Sequence, residues 1–413
     1  MIKFEKYTLD NGLKVLLHKD ESSPLVAVNV LYDVGSRDED PDKTGFAHLF
    51  EHLMFGGSLN VPDFDIPIQF AGGDNNAFTN SDVTNFYNIL PKENIETALW
   101  LESDRMLQLD FNQEMLDVQK KVVVEEFKET CLNVPFGDMW HELSKLCYKD
   151  HPYQWPTIGK DFSHIEKAKL DDVEYFFNRH YHPNNSILCI TGNYDEKTIK
   201  ESIQNWFGPI PPGKISVRNL KQEKQQTEKR EFIKHENVPG QNFLVAYHMV
   251  DRSHPDYYIF DLISDLLSTG KSSRFYKKLA KKGDLYNSLS AYISGNMDPG
   301  LFILDGKLAA DQDYLLAIGK AKHELDLLKD ELVSDYELSK IKNKIISLLE
   351  YSELSILNKA INLCHFELLG NADLINNQVE MYEKITPQDI QRVAKEYFTE
   401  QNCNSLVYLP NAN

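Results

Sequence analysis

Long apolar runs are missing from this sequence: nothing approaches the about 20 residues a membrane-crossing helix needs, and the opening MIKFEKYTLDNGLKVLLHKD has no secretory apolar core. A cytoplasmic protein is expected, and a periplasmic one if a leader was removed. Cysteine is scarce. The five residues Cys131, Cys147, Cys189, Cys364 and Cys403 are odd in number and widely spaced, which argues against a disulfide framework or a Cys-rich zinc module and fits a reducing compartment. Positive charge is also short, with 44 Lys+Arg against 63 Asp+Glu and a formal net charge of −19. Such a field repels phosphate backbones and anionic bilayers, so neither nucleic acid nor membrane insertion is expected. What is present is globular: 42% hydrophobic and 26% charged residues over 413 positions, more than one typical domain.

Asn11-Gly12 between short apolar runs signals a hairpin, and LVAVNVLY (25–32) reads as a well-buried strand. Residues 45–57, rich in helix formers and closed by two glycines, read as a short, largely buried helix. Helical spacing follows at 94–106, 112–131 and 171–181, with strands at 83–90 and 187–191. From Gly208 the turn GPIPPGK and then, after a short stretch, KQEKQQTEKR (221–230) bury almost nothing, and 211–230 is the expected linker between an N-terminal domain (1–210) and a C-terminal one (231–413). Beyond it the pattern restarts with a strand at 243–250 and a helix at 257–268, and 311–368 reads as a pair of amphipathic helices. Asp172-Val-Glu-Tyr-Phe before SILCITG rhymes with Asp389-Ile-Gln-Arg-Val before SLVYLP, an offset of 217 residues that points to a tandem duplication. The fold class expected is α+β, two homologous domains that each set a mostly antiparallel sheet under helices.

His48-Leu-Phe-Glu51-His52 puts two imidazoles at i and i+4 on one helix face with a carboxylate beside them. Imidazole is a favoured zinc ligand, and a catalytic site takes three protein ligands and leaves one position open. For the third ligand Glu126 is the best candidate, because Met115, Val118 and Val122 form an apolar stripe on whose continuation it falls, whereas Glu125 lies off it. A carboxylate on a buried face needs a compensating cation. Glu51 is then the natural general base for hydrolysis. His180 and His182 have no carboxylate at ligand spacing and read as helix-end or surface residues. GKSS at 270–273 lacks the length of a phosphate loop.

With these residues in place the sequence resembles the pitrilysin/insulinase family of inverted-motif zinc metallopeptidases over essentially its whole length. The family pattern is HxxEH followed by a distant metal-binding Glu, matched by His48, Glu51, His52 and Glu126 within VVVEEF. Gly72-Gly-Asp-Asn-Asn-Ala-Phe-Thr79 resembles the family's GGxxNAxT edge strand, which implies that Asn76 and Ala77 lie beside an extended peptide substrate. Two departures stand out. Gln119 occupies the position, seven before the ligand, where members often carry a supporting Glu. In the family's C-terminal Arg/Tyr pair, aligned on Gly283, Tyr286 matches but Leu279 replaces the Arg.

The resemblance therefore implies a zinc-dependent endopeptidase of short or unfolded peptides. It further implies the zinc-bearing subunit of a clamshell dimer, whose partner supplies the Arg/Tyr pair or is a second copy. An assembly subunit with a structural zinc is the alternative, and a hydrolase of non-peptide amides another.

Overall fold

Two sheets organise the chain, one in each of two compact units, in a computed structural model that describes residues 1–214, 218–281 and 284–411. Residues 215–217 of the expected linker and the alignment glycine, Gly283, lie outside the described residues. In chain order the first half runs β1 (Glu5–Thr8), β2 (Lys14–Lys19), β3 (Leu25–Tyr32), α1 (Phe46–Leu53), α2 (Asp65–Phe70), β4 (Asp74–Thr79) and β5 (Thr84–Pro91). There follow α3 (Ile95–Leu107), α4 (Gln113–Phe127), α5 (Met139–Cys147), α6 (Ser163–Glu166), α7 (Leu170–His180), β6 (Ser186–Gly192) and α8 (Ile199–Phe207). The second half runs β7 (Arg230–Glu236), β8 (Asn242–His248), α9 (Tyr257–Ser268), β9 (Tyr286–Ile293), β10 (Leu301–Leu308), α10 (Tyr314–Asp330) and α11 (Asp335–Ser352). It closes with α12 (Ile356–Leu368), α13 (Gln378–Glu383), α14 (Pro387–Tyr397) and β11 (Cys403–Pro410). None of the described helices is long and apolar enough to cross a membrane.

The first sheet has the order β1-β2-β6-β3-β5-β4, antiparallel except for β2 with β6. Its central strands β3 and β6 read as continuous apolar runs because both faces are covered. On one face Val15, Val28, Val30 and Ile190 meet Leu49, Phe50, Leu99, Val123 and Phe177 from the N-terminal helices. On the other, Leu16, Leu31, Ile187 and Cys189 meet Ala360, Leu363 and Cys364 of α12. Asn29 and Asn85, buried in the sheet, satisfy each other across β3 and β5 at 2.9 and 2.8 Å.

In the second sheet the order is β7-β11-β8-β10-β9, again with a single parallel pair, β7 with β11. One face packs against Phe260, Leu328, Ile341 and Val393, and the other against Met139, Leu143 and Cys147 of α5. Strand order and strand directions thus repeat from β2-β6-β3-β5-β4 to β7-β11-β8-β10-β9. Five pairs of elements begin 217 residues apart: β3 and β8, β5 and β10, β6 and β11, α7 and α14, α5 and α12.

The last of those pairs is exchanged. The first unit consists of Met1–Glu129, Trp155–Lys221 and Tyr351–Asn376, the second of Thr130–Gln154, Gln222–Glu350 and Asn377–Asn413. A division at 211–230 follows the repeat along the chain, whereas the units follow packing, and each sheet takes one covering helix from the other half. Region 311–368 accordingly holds three helices and not two. Ser355 starts the third by accepting the Asn358 N–H at 3.3 Å, and its apolar face goes to the first sheet instead of staying with α10 and α11.

Candidate metal centre

Helix α1 starts at Gly45, whose φ of +89° suits a residue without Cβ. It buries Phe46, Ala47, Leu49, Phe50 and Leu53, which turns His48, Glu51 and His52 to the opposite side. Helix α4 is capped by Asn112, whose side chain accepts the Met115 N–H at 2.7 Å. Its buried stripe is Leu116, Val123, Val124 and Phe127. The stripe expected from sequence is corrected here: Val118 and Val122 are 50% and 46% exposed, and Glu126 beside them is half-buried. Glu126 nevertheless reaches the imidazoles: it sits between the exposed Glu125, which pairs with Lys128 at 2.7 Å, and the buried Phe127, at the border of the face that α4 buries.

His48 Nε2 and His52 Nε2 lie 3.3 Å apart. Glu126 Oε1 is 3.7 Å from His48 Nε2, and Oε2 is 3.4 Å from His52 Nε2. One donor atom from each falls within 4.8 Å of the others, the sole such group of three His, Cys, Asp or Glu among the described residues. For bonds of about 2.0–2.1 Å, adjacent donors around a tetrahedral ion stand roughly 3.3 Å apart, so the set fits a zinc ion. Burial holds His48 below the ordinary histidine range, which favours the neutral, ligating imidazole. The hydrogen bond from His52 keeps Glu126 below the usual carboxylate range, which favours its anion.

Glu51 stands on the same helix turn and accepts the Thr79 Oγ1–H at 2.6 Å through Oε2. Sequence reasoning missed Thr79; its one signal was its place at the end of the GGDNNAFT segment. That segment is β4, the edge of its sheet. Asn76 and Ala77 pair with Tyr87 and Phe86 on the β5 side. The Ala77 N–H is taken by Asn76 Oδ1 at 2.8 Å.

The second unit repeats the helix without the ligands: His48-Leu-Phe-Glu-His-Leu…Gly57 is matched by Asp261-Leu-Ile-Ser-Asp-Leu…Gly270, and Asp261 accepts the Tyr382 hydroxyl. Tyr286 is 2% exposed and donates to Ala317 O at 2.6 Å. Leu279 packs on that unit's core. His180 is the last residue of α7, the helix-end position expected of it, but it is not at the surface: its ring is buried against that of Phe176, centroids 4.7 Å apart, and burial pushes it down to about 3.

Residues 14–158 match the family model described as insulinase (peptidase family M16), and residues 167–345 match the one described as peptidase M16 inactive domain. The chain belongs to the insulinase family. Zinc protease PqqE of Helicobacter pylori is 26% identical over 427 residues, covering 99% of this chain and 93% of that protein. The crystal structure of a protease from Helicobacter pylori matches with a TM-score of 0.95 at 25% identity, covering 99% of this chain and 100% of that one. The periplasmic protease PqqL of Escherichia coli shares the fold at 17% identity and a TM-score of 0.81. This chain spans only 48% of that longer one.

Proposed function

We propose that this chain is a zinc-dependent endopeptidase acting on short or unfolded peptides, and that it works as the zinc-bearing subunit of a dimer. The observation that carries the reading is the convergence of His48, His52 and Glu126 within 4.8 Å, beside a carboxylate on the same helix that bears no ligand role. His48, His52 and Glu126 hold the ion. Once bound there, zinc supplies Lewis-acid polarisation of water and of a scissile carbonyl. Glu51 is the general base: Thr79 occupies Oε2, so Oε1 is left to take the proton from the attacking water and pass it to the leaving amine. Asn76 and Ala77 hold the peptide as an added strand at the edge of β4, which gives sequence-tolerant affinity through main-chain bonds.

Transition-state charge on the carbonyl oxygen needs donors. Tyr286 spends its hydroxyl inside its own unit and Leu279 has none, which supports a partner that brings the missing Arg and Tyr, either a distinct subunit or a second copy. The 48% coverage of PqqL supports such pairing of two chains of this size. Five free thiols support a reducing, cytoplasmic setting. The same loss of the Arg/Tyr pair favours a second reading, an assembly subunit in which zinc is structural.

The test combines metal analysis with digestion of a peptide library, with and without chelator, by wild type and Glu51→Gln. Retention of zinc with turnover reduced about 10²- to 10⁴-fold is expected for the base. No chelator-sensitive cleavage, alone or with candidate partner subunits, would leave the assembly reading.

A further inference from the structure

Glu39 lies in the charged run Ser36-Arg-Asp-Glu-Asp40. The structure buries it, 6% exposed, among donors. Its Oε1 accepts the Ala47 N–H at 2.9 Å, and its Oε2 accepts the Gly45 N–H at 2.9 Å and the Trp155 indole N–H at 3.1 Å. Gly45 and Ala47 are the first turn of α1, the helix that carries His48, Glu51 and His52. The N–H groups of a first helical turn have no partner within the helix, and a carboxylate there also meets the positive end of the helix dipole.

The loop bearing Glu39 is itself fixed. Arg37 pairs with Asp82 at 2.9 Å, and Arg218 pairs with Asp38 at 2.6 Å and Asp33 at 2.9 Å. The Ser36 and Arg37 N–H groups donate to Asn80 O and Ser81 O at 3.2 and 3.0 Å. Those two carbonyls directly follow Thr79, the residue that holds Glu51. At Gly35 a Cβ would stand 2.4 Å from the backbone of Ser81 and Asp82, so loop and strand end are in contact. One short loop therefore fixes the start of α1 on one side and the end of β4 on the other.

We propose that Glu39 is a positioning residue that sets α1 against β4 and α4, and so fixes both the spacing of the imidazole pair from Glu126 and the contact of Glu51 with Thr79. This rests on reading the triad as a metal centre. Two oxygens receive three N–H donors, an arrangement suited to the ionised carboxylate, although burial pushes the group up to about 8 against the pull of those same donors. A glutamine there would present an NH₂ group to at least one backbone N–H.

The test is Glu39→Gln with two readouts that need no turnover: zinc affinity of the apoprotein by competition with a chromogenic chelator, and amide hydrogen exchange along the whole chain. A fall in zinc affinity of about tenfold is expected, together with faster exchange confined to α1 and the end of β4. A folded variant with wild-type zinc affinity and exchange overturns the proposal. Should Glu39→Gln fail to fold, Trp155→Phe removes one donor and leaves the carboxylate. A roughly twofold loss of zinc affinity is then expected, and no change overturns the proposal. Wild-type protein that takes up no zinc sinks the metal reading as well, an outcome distinct from wild-type binding that Glu39→Gln leaves untouched.

Discussion

A general base must point one oxygen at water and keep its carboxylate from rotating away. In this chain the Thr79 hydroxyl does the holding, donating to Glu51 Oε2 at 2.6 Å. A hydrogen bond to a charged group is worth about 1.5–3 kcal/mol, so Thr79→Val is expected to lower kcat about tenfold or more. Thr79→Ser, which keeps the hydroxyl, should recover most of the activity, and zinc content should stay at wild type in both; equal rates for Val and Ser would remove the role. The imidazole pair and its neighbouring acid were legible because i and i+4 share a helix face whatever the fold. Glu126 was found by a stripe argument whose premise failed, since Val118 and Val122 are exposed. Thr79 was invisible because its contact exists only once a strand and a helix from different stretches lie side by side. A second prediction at this scale concerns buried histidine. Burial holds His180 at about 3 and His248 at about 4, below the ordinary value of 6.5. Depressed folded-state values mean that the unfolded chain binds protons first, so stability is full above pH 6.5 and falls as pH drops toward 4. His180 alone contributes a loss of roughly 3 kcal/mol by pH 4.5. Urea midpoints measured from pH 7.5 to 4.5 check this, and His180→Phe should flatten the slope.

At the scale of elements, β4 is an edge whose Ala77 N–H is already taken by Asn76 Oδ1. An incoming peptide strand must displace that amide to use the donor. Proline at an edge strand removes a donor without breaking the ladder when the N–H faces away from it. Ala77→Pro is therefore expected to raise KM about tenfold, the share carried by main-chain pairing, with zinc affinity unchanged. Isothermal titration of zinc beside the kinetic measurement separates the two, and an unchanged KM would remove β4 from the substrate path. Strands β3 and β6 were legible as continuous apolar runs because both their faces are buried. The identity of the cover was not legible: α12 reads as one more amphipathic helix after α11, and only the pairing of Cys364 and Leu363 with Leu16, Leu31 and Cys189 reveals its destination. Leu363→Ala, a C-terminal change, should cost about 2–5 kcal/mol and destabilise the sheet that carries the metal centre.

For the whole molecule, the repeat was written in the sequence as a 217-residue offset and reappears in strand order, strand direction and helix starts. The exchange of α5 and α12 between the two units was not, because equivalent helices in a duplicated chain carry the same local pattern whichever sheet receives them. That exchange decides how the protein comes apart. A fragment of residues 1–221 keeps the zinc ligands yet lacks α12, leaving Leu16, Leu31, Ile187 and Cys189 uncovered, and it carries α5 with Met139, Leu143 and Cys147 bare. Two uncovered apolar faces in one fragment favour a loosened or aggregating state over a packed one. The fragment alone is expected to bind a hydrophobic dye and to unfold without a sharp transition. Co-expression with residues 222–413 is expected to return a stable one-to-one complex with a cooperative melt, since each fragment then finds its missing helix. If residues 1–221 were monomeric and melted cooperatively on their own, the exchanged helices would be ornaments on two independent domains, and the dependence of the metal centre's sheet on the C-terminal half would be gone.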